Sequence, residues 1–383
     1  MLLKAIPLHK LKIESMKFSF DRKEFIDALL VGGSMAGKNK NLPILDCVKI
    51  NIRGENSTIS SYNGEAAITK RICISSFEEA VMCLNKQDLD SFLRSLTDEV
   101  ITIEYNDNSI KINHKKGNLS LPTFDVNDFV KPNFEKDGDS IKLNSSSLLP
   151  IIVSANKFRL SKDDLRPIMS CINMNVTDKI IEISASDMMS LYSSPIELGE
   201  SNPNFVLNLT DVSIAPLKNM LEHCSEVTII NGERSYTIKS DDAMLSAVKM
   251  EGRYPNVKSV IPQYENCTRI CVNVKEFTNA VKRCSMNADK SASIVTVESK
   301  TLSFVEVSSN DINYNKSTIE YVDCELDGNF NKFSVKYAQI LNVLSCIESD
   351  NITIIIKSER GPIIIRDELD KKSTYLLMPF LSI

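Results

Sequence analysis

The sequence predicts an α+β fold in which helices are segregated from antiparallel strands, because one order of elements recurs along the chain. A short strand runs into a capped helix, the helix stops, and β-rich runs follow. Two segments of similar sequence connect one apolar strand-like run to the next: residues 121–132 and 250–262. The chain is therefore interpreted first as a set of repeats.

The first module begins directly after Met16. Residues 17–20 alternate apolar and polar side chains as a strand does, and Asp21 is a suitable N-cap for a helix. Apolar residues recur at helical spacing over 25–30, and Gly32 and Gly33 are expected to end that helix. Three β-rich runs complete the module: 44–52, 57–62 and 66–75.

The second module repeats this order from Val81. A strand over 81–84 leads into a helix capped by Asn85. The strands expected after it are 100–105, 109–113 and 119–121.

Four further modules begin at Ile141, Phe205, Arg269 and Phe333. Their clearest strands are predicted at 172–176, 180–186, 191–198, 227–231, 235–240, 244–250, 352–356, 363–366 and 375–378. The architecture expected from these modules places sheets on one side and paired helices on the other.

Six modules pair into three equivalent domains, because the odd modules begin at nearly equal spacing, at Phe18, Ile141 and Ile270. The predicted boundaries are 16–137, 138–265 and 266–383. Residues 1–15 precede a second methionine, so we expect them to be either a disordered extension or the product of an upstream start.

Composition places the chain among ordinary globular proteins, with 43% hydrophobic and 25% charged residues in 383. Apolar stretches are far shorter than the roughly 20 residues of a membrane-spanning helix. Lys4, Pro7 and Lys10 interrupt the opening segment, which lacks the continuous apolar core of a signal peptide. We expect a cytoplasmic protein that does not associate with a membrane.

The ten cysteines are scattered singly, mostly within apolar runs, and are expected to be reduced, buried thiols. Cys267 and Cys271 form the only close pair, and neither a second pair nor a nearby histidine completes a zinc site. Neither a metal nor a cofactor is expected.

One stretch, residues 32–39 with the sequence G-G-S-M-A-G-K-N, nearly matches the phosphate-binding loop G-x-x-x-x-G-K-[ST]. A true loop of this kind follows a strand and opens a helix, whereas here a predicted helix precedes it and Asn39 replaces the magnesium-binding hydroxyl. Catalysis is therefore not expected. An enzyme that uses this loop is kept as an alternative hypothesis, ranked behind the two that are given below. Lys38 and Lys40 in the loop are expected to be able to contact a phosphate backbone.

Basic residues recur on the predicted helices, and at comparable positions they would line one shared surface. Such a surface suits contact with nucleic-acid phosphates without reading the base sequence, and a net charge of -5 does not exclude it. Besides Lys38 and Lys40, the candidates are Lys86, Arg94, Lys157, Arg159, Arg166, Lys218, Lys282 and Arg283.

Several short motifs occur between Met16 and the end of the chain, in the same order and with the same spacing as in one known family. They are M-K-F-S-F at Met16, N-L-P-I-L at 41–45, S-A-S-D-x-x-x-L at 184–191, E-G-R-Y-P at 251–255, V-I-P at 260–262 and Y-L-L-M-P-F at 375–380. Together with the three equivalent domains, they resemble the bacterial sliding clamp, the DNA polymerase III beta subunit, in a bacterial or phage-encoded form.

This resemblance implies a non-catalytic, head-to-tail homodimeric ring with paired helices around a central hole for double-stranded DNA and sheets outside. The implied partners are a second copy of the chain, the replicative DNA polymerase, a clamp loader and other proteins that carry clamp-binding motifs. Its implied dimer contacts join Leu119 and Leu121 of one subunit to the region of Met286 in the other.

The resemblance also implies an apolar pocket for partner peptides between the second and third domains. The matching positions are Met169, Ser186, Asp187, Met188, Met189, Leu191, Pro255, Ser259, Val260, Tyr337, Met378, Pro379 and Phe380.

The chain departs from the family pattern at several of these positions. Met188, Met189 and Ser190 stand where the family usually has Gly-His-Arg, and Ser259 replaces a basic residue. The pocket is therefore expected to be more apolar and to prefer a different peptide. The runner-up hypothesis is a clamp-like ring or scaffold that recruits partners by peptide motifs without a replicative role.

Asn39 stands where the family has a DNA-contacting Arg, and Pro167 and Ile168 replace tyrosines of its DNA-facing segment.

Overall fold

The computed structural model describes residues 16–37, 42–76, 79–106, 108–130, 134, 136–161, 165–199, 201–262 and 265–380. The extension 1–15 and the predicted phosphate contacts Lys38 and Lys40 lie outside these residues. The chain separates into two compact units. The first holds the described residues up to Gly138 together with Ala215–Val248, and the second holds Asp139–Ile214 together with the described residues from Lys249 onwards.

Helices and antiparallel strands alternate in the predicted order, which confirms the α+β class. The helices are α1 Arg22–Gly32, α2 Lys86–Ser95, α3 Ser145–Ala155, α4 Asp211–Leu221, α5 Val274–Met286 and α6 Tyr337–Leu344. None of the helices in the described part of the chain is both long and apolar enough to span a membrane. The three predicted domain boundaries stay a prediction.

The first unit contains these strands: β1 Met16–Asp21, β2 Cys47–Ile52, β3 Ser57–Tyr62, β4 Ala66–Ile72, β5 Ala80–Asn85, β6 Val100–Asn106, β7 Ser109–His114, β8 Gly117–Pro122, β14 Glu226–Asn231, β15 Ser235–Lys239 and β16 Ala243–Val248. One sheet has the order β1-β6-β7-β8, and another runs β5-β2-β3-β4-β16-β15-β14. Residues distant in the chain are joined in the second sheet, because β4 pairs with β16.

The second unit contains these strands: β9 Asp139–Asn144, β10 Ile172–Val176, β11 Ile180–Ser186, β12 Ser190–Glu197, β13 Phe205–Leu209, β17 Thr268–Asn273, β18 Ile294–Ser299, β19 Phe304–Asp311, β20 Lys316–Asp327, β21 Lys332–Lys336, β22 Asn351–Ile356, β23 Ile363–Asp367 and β24 Thr374–Leu377. Twelve of them form one sheet with the order β13-β10-β11-β12-β24-β23-β22-β17-β20-β19-β18-β21. The pairing of β12 with β24 makes this sheet continuous.

The predicted helix caps are confirmed. The Asp21 carboxylate accepts a hydrogen bond from the backbone N–H of Glu24 at 2.9 Å. The Asn85 side-chain oxygen accepts from the N–H groups of Gln87 and Asp88 at 2.9 and 3.1 Å. These bonds satisfy donors that the first turn of a helix leaves without an intrahelical partner.

The glycines at the end of α1 stop the helix as predicted, although the left-handed conformation is not the reason. Gly33 has an ordinary φ of -95°. A Cβ atom on Gly32 would lie 2.5 Å from the carbonyl oxygen of Ile59, so the end of α1 packs directly on the backbone of β3. Close packing therefore requires the absence of a side chain here.

One strand prediction was wrong at its start. Residues 44–46 were expected to belong to the strand over 44–52, whereas Pro43–Asp46 forms a 3-10 turn and β2 begins at Cys47. Pro43 occupies the start of this turn, where its fixed φ is favourable and its missing N–H leaves no intrahelical bond unmade.

Each unit has a dense apolar core. In the first unit, α1 contributes Phe25 and Leu29, which are fully buried among Ile50 of β2, Ile59 of β3 and Ile101 of β6. Burying a side chain of this size stabilises the fold by about 1.5–3 kcal/mol. In the second unit, α3 packs on β11 and β12, and α5 packs on α6.

Candidate peptide site and nucleic-acid interface

An apolar row crosses four adjacent strands of the large sheet in the second unit. Leu191 of β12 lies opposite Leu376 of β24, which lies opposite Ile364 of β23, which lies opposite Ile355 of β22. All four side chains are buried in one cluster. Leu191 precedes Tyr192, whose ring packs on Phe158 after α3, so the row occupies the sheet face opposite that helix.

The row is covered by residues from two loops. Met169, Tyr254 and Val257 complete the buried cluster, and partly buried Ile168, Ile261 and Met378 pack against it. Burial raises the pKa of the Tyr254 phenol above its usual range, so this group stays neutral at physiological pH. Its oxygen accepts a hydrogen bond from the N–H of Ser186 at 2.9 Å, which fixes the ring beside the end of β11.

The turn between β11 and β12 is built around Asp187. One oxygen of its carboxylate, Oδ1, accepts bonds from the N–H of Met189 at 2.9 Å and from the N–H and hydroxyl of Ser190 at 2.5 and 2.8 Å. The Ser186 hydroxyl accepts from the N–H of Met188 at 2.9 Å and donates to the carbonyl of Ser190 at 2.7 Å. This local network is the type in which Asp and Ser side chains replace a backbone turn.

Two hydrogen bonds tie this region to the C-terminal part of the chain, and a third joins two segments within that part. The N–H of Met378 donates to the carbonyl of Met189 at 2.7 Å. The side-chain amide of Gln339 in α6 donates to Asp187 Oδ2 at 3.0 Å. The N–H of Phe380 donates to the carbonyl of Ser334 in β21 at 2.7 Å. The predicted positions 186–191, Met378 and Phe380 therefore belong to one connected structure.

Three apolar side chains stay exposed at this site: Met188 at 41%, Val260 at 47% and Phe380 at 39%. Single exposed apolar side chains are ordinary on a protein surface, whereas contiguous ones mark interaction sites. Met188 also has φ of +74°, which an L residue rarely adopts. An apolar side chain is thus held outward at a position where the backbone favours glycine.

The other predicted pocket residues differ in their surroundings. Met169, Leu191 and Pro379 are buried, Tyr337 is half-buried at the first position of α6, and Pro255 and Ser259 are exposed. The Ser259 hydroxyl is bonded to the carbonyl of Asn256 at 2.7 Å. Sequence reasoning missed Tyr254, Val257, Ile355, Ile364 and Leu376. Tyr254 lies inside the E-G-R-Y-P motif, which could have indicated it, whereas the uninterrupted isoleucine runs gave no sign of which residues face this site.

Most basic residues predicted to contact phosphates form local pairs in the structure. Lys86 and Arg94 in α2 both reach Asp90, at 3.7 and 2.8 Å. Lys218 in α4 lies 3.6 Å from Glu222.

The second unit shows the same tendency. Arg159 pairs with Asp211 at 2.6 Å, and Arg283 in α5 forms a bidentate pair with Glu320 of β20 at 2.8 and 2.7 Å. The Lys157 ammonium donates to the hydroxyl and carbonyl oxygens of Ser345. Lys282 is exposed and makes no ion pair among the described residues.

Arg166 has a different environment from the other basic candidates. Its guanidinium nitrogen Nη1 lies against the sulfur of Met188, at the edge of the apolar site. The structure therefore brings one predicted phosphate contact next to the predicted peptide pocket.

Each unit has strand edges without a partner strand among the described residues, and β8 and part of β20 are two of them. β8 is the terminal strand of its sheet, and Leu119 and Leu121 turn partly inward onto the core of the first unit. Pairing of β20 with β17 covers 324–327 alone, so residues 316–323 of β20 have a partner strand only in β19. Ile319, Tyr321 and, at the end of α5, Met286 are exposed. Unpaired edges can add a strand from another chain.

The described residues hold no group of three or more His, Cys, Asp or Glu arranged to bind a metal. All ten cysteines are free thiols, but only four of them are buried, so the expectation of buried thiols is wrong for the other six. Burial raises the pKa of Cys47 to about 12 and that of Cys83 to about 11, which makes these thiols unreactive at neutral pH. Gly32 closes helix α1, so the residues up to 37 of the phosphate-loop-like stretch follow a helix; Lys38 and Asn39 lie outside the described residues.

Comparison with known families decides the origin of this architecture. Residues 16–133 match the model of the DNA polymerase III beta subunit N-terminal domain, and residues 258–381 match that of the C-terminal domain, together more than half of the chain. The chain belongs to the DNA polymerase III beta subunit family.

Curated relatives agree over almost the whole length. The chain is 24% identical to the beta sliding clamp of Buchnera aphidicola over 370 residues and 21% identical to that of Bacillus subtilis over 377 residues. In both cases the match covers 95% of this chain and 99% of the relative.

Solved structures show the same fold. The Thermotoga maritima DNA polymerase III beta subunit matches with a TM-score of 0.88 at 18% identity, over 96% of this chain and 100% of that one. The Pseudomonas aeruginosa sliding clamp bound to griselimycin matches with a TM-score of 0.87 at 17% identity and the same coverage.

Proposed function

We propose that this protein is a DNA sliding clamp, a non-catalytic ring that encircles double-stranded DNA and holds the replicative polymerase on it. The observation that best supports this function is the clamp fold over nearly the whole chain. The apolar site agrees with it, because Met188, Val260 and Phe380 are exposed there and can contact a partner. Retention by a closed ring is topological, so it requires neither a catalytic group nor tight local contacts. The proposed location is the cytoplasm.

The ring is proposed to be a homodimer. The β8 edge and the free half of β20 lie in different units, and each would add to the complementary edge of the second copy. Because Leu119 and Leu121 turn partly inward, the backbone of β8 would supply the hydrogen bonds, and exposed Met286, Ile319 and Tyr321 would supply apolar contact. Two such head-to-tail contacts related by a two-fold axis close the ring. Within each chain, the partition into domains 16–137, 138–265 and 266–383 is part of this proposal.

Contact with DNA is proposed to be weak and independent of sequence. Local pairing of Lys86, Arg94, Arg159 and Arg283 with carboxylates reduces the charge each offers to phosphates. Lys282 keeps an unpaired ammonium among the described residues and is the strongest candidate. Weak contacts of this kind permit sliding, whereas strong ones would hinder it.

The apolar site is proposed to dock short peptide segments of partner proteins. The replicative polymerase, the clamp loader and other proteins with clamp-binding motifs would share it. Met188, Val260 and Phe380 would cover apolar peptide side chains, and the buried row would form the floor of the site. Methionines adapt to differently shaped partners because their side chains are flexible and polarisable.

A second candidate function is a clamp-like ring that recruits partners without serving replication. The departures at Met188, Met189 and Ser259 favour it, because they change the surface that a partner peptide meets. Failure of family-type peptides to bind, together with binding of some other short motif, would support this alternative.

Small-angle X-ray scattering in line with size-exclusion chromatography tests the ring, and primer extension tests the role in replication. We expect a particle of twice the chain mass with a central void, and longer extension products when a polymerase and a clamp loader are supplied with the protein. A compact monomer at micromolar concentration in moderate salt would contradict the ring. A ring that leaves product length unchanged would favour the recruiting scaffold.

A further inference from the structure

A polar groove lies beside the apolar site, on the same unit and the same face of the sheet. It encloses about 510 Å³. Its floor is formed by Asn173 and Asn175 of β10 with Ser184 and Glu182 of β11, which lie opposite one another in the strand register. Its wall is the segment 252–258, which connects to the cover of the apolar site.

The groove and the apolar site are adjacent, because they share a wall. Tyr254 and Val257 line the groove and are also members of the buried apolar cluster. Ser186, which donates to the Tyr254 oxygen, follows the groove residue Ser184 by two positions and therefore lies on the same face of β11. An extended peptide advances roughly 3.3 Å per residue, so a few residues beyond an apolar anchor would reach the groove.

The charges around the groove favour an acidic occupant. Arg253 and Lys258 stand on its wall, and Glu182 is the one carboxylate among the residues that line it. The Lys258 ammonium lies 3.0 Å from Glu182 Oε2, while Glu182 Oε1 accepts from the Ser193 hydroxyl at 3.0 Å. Arg253 is exposed and forms no ion pair within the described part of the chain. Arg253 is thus available to pair with an acidic ligand, and Lys258 has Glu182 as its one ion-pair partner in the groove.

The floor suits a peptide main chain. Asn173 is buried and donates its side-chain amide to the Asn208 oxygen at 2.9 Å, so its own oxygen is left to accept. Asn175 is half-buried and presents both a donor and an acceptor. Amide and hydroxyl groups in this arrangement can bond the N–H and C=O groups of an extended segment.

We propose that this groove is a second binding site, specific for acidic residues that flank the apolar anchor of a docked partner segment. The proposal rests on the peptide-docking role proposed above. Arg253 and Lys258 pair with the acidic side chains, and the asparagines hold the main chain. Partners would then be ranked by their flanking charge as well as by their apolar anchors.

Fluorescence anisotropy with synthetic peptides tests the groove. The probe is a fluorescein-labelled peptide with a Leu-Ala-Leu-Phe core, compared with versions extended at either end by Asp-Glu-Asp or by the neutral Asn-Gln-Asn. An acidic extension at one end should tighten binding about three- to ten-fold over the neutral one, as expected for two partly exposed ion pairs. The gain should shrink at high salt, because salt screens exposed charges.

Three variants assign the effect to the groove. The double variant Arg253→Ser with Lys258→Ser should remove the gain, while Lys357→Ser, an exposed lysine outside the groove, should keep it. Glu182→Gln frees Lys258 from its carboxylate and should enlarge the gain at least two-fold, an effect that loss of structure would not produce. Melting temperatures of the variants confirm that each is folded.

Equal affinity for acidic and neutral extensions at both ends would overturn the proposal, as would a gain that survives in the double variant. These results would leave binding of the core peptide intact. Absence of any core-peptide binding would instead contradict the apolar docking site, and the groove proposal with it.

Discussion

The carboxylate of Asp187 and the side-chain amide of Gln339 are joined by a 3.0 Å hydrogen bond that links the β11–β12 turn to helix α6. The other carboxylate oxygen holds three donors of the turn itself. One side chain therefore orders the turn and connects it to the C-terminal part of the apolar site.

Replacing Asp187 with Ala should destabilise the protein by about 2 kcal/mol, because hydrogen bonds to a charged group are lost and their donors are left partly buried. Peptide binding should weaken as well, since Met188 and Met189 lose their fixed positions. Urea denaturation and anisotropy measure the two effects. Asp241→Ala, at an exposed aspartate of the first unit, is the control and should change stability by less than about 0.5 kcal/mol. Equal stability of the two variants would show that Asp187 does not organise the turn.

Met188→Gly should raise stability while lowering peptide affinity. At φ of +74° a non-glycine residue costs roughly 1–2 kcal/mol, and the greater entropy of glycine in the unfolded chain offsets part of that gain. We expect a net stabilisation of about 0.5–1 kcal/mol. Affinity should fall because an exposed apolar side chain is removed from the rim of the site.

The matched control for this change is Met189→Gly. Met189 has no positive φ, so glycine there should destabilise the protein by about 1 kcal/mol. A destabilisation of the same size in both variants would contradict the strain assigned to Met188.

Adjacent basic residues of α5 should differ in their effect on DNA binding. Lys282→Gln removes a charge that is unpaired among the described residues, whereas Arg283→Gln removes one already neutralised by Glu320. Glu320 holds the pKa of Arg283 above its ordinary value, and the pair keeps the pKa of Glu320 low. The slope of log affinity against log salt should decrease by about 1 for Lys282→Gln.

For Arg283→Gln the same slope should barely change, because Arg283 is paired with Glu320 and does not neutralise a phosphate. Fluorescence anisotropy with duplex DNA over a salt series provides both slopes. A larger decrease for Arg283 than for Lys282 would mean that the Glu320 pair opens when DNA binds.

Asp367 should make stability depend on pH in the acid range. Burial by itself would raise its pKa, but hydrogen bonds from Ser349 and from the N–H groups of Glu348, Leu369 and Asp370 lower it overall. The pKa of this carboxyl is lower in the folded protein than the value of about 3.9 in the unfolded chain, so its ionised form stabilises the fold above that pH. This stabilisation disappears as the pH falls through the pKa of the folded state.

Asp367→Asn should therefore be less stable than the parent at pH 7 by about 1–3 kcal/mol, and the difference should shrink below pH of about 4. Chemical denaturation between pH 2 and about 7 follows it. A difference that stays constant with pH would exclude the carboxylate as its source.

The sequence predicted the fold wherever the determining signal is local. Asp21 and Asn85 cap their helices through backbone N–H groups two or three residues away, and alternating runs specify strands without reference to the rest of the chain. The prediction was wrong for residues 44–46, because Ile44 and Leu45 are apolar as in a strand whereas Pro43 favours a turn.

The apolar site was harder to predict from the sequence, because strands distant in the chain pair to form it. Ile355 and Ile364 lie within uninterrupted isoleucine runs, so only the pairing of β22, β23 and β24 reveals which side chains meet Leu376. The positive φ of Met188 depends on the Asp187 network and has no local sequence signature. Arg166 was grouped with phosphate contacts because charge alone cannot show that it lies against Met188.

Topological retention on DNA tests the central claim most directly. The protein is loaded by a clamp loader onto nicked circular DNA, isolated by gel filtration in high salt, and the DNA is then cut once. A sliding clamp predicts that the protein stays with the circle and leaves after the cut, because a closed ring slides off a free end. Equal retention on circular and linear DNA, or release from the circle in high salt, would contradict the account.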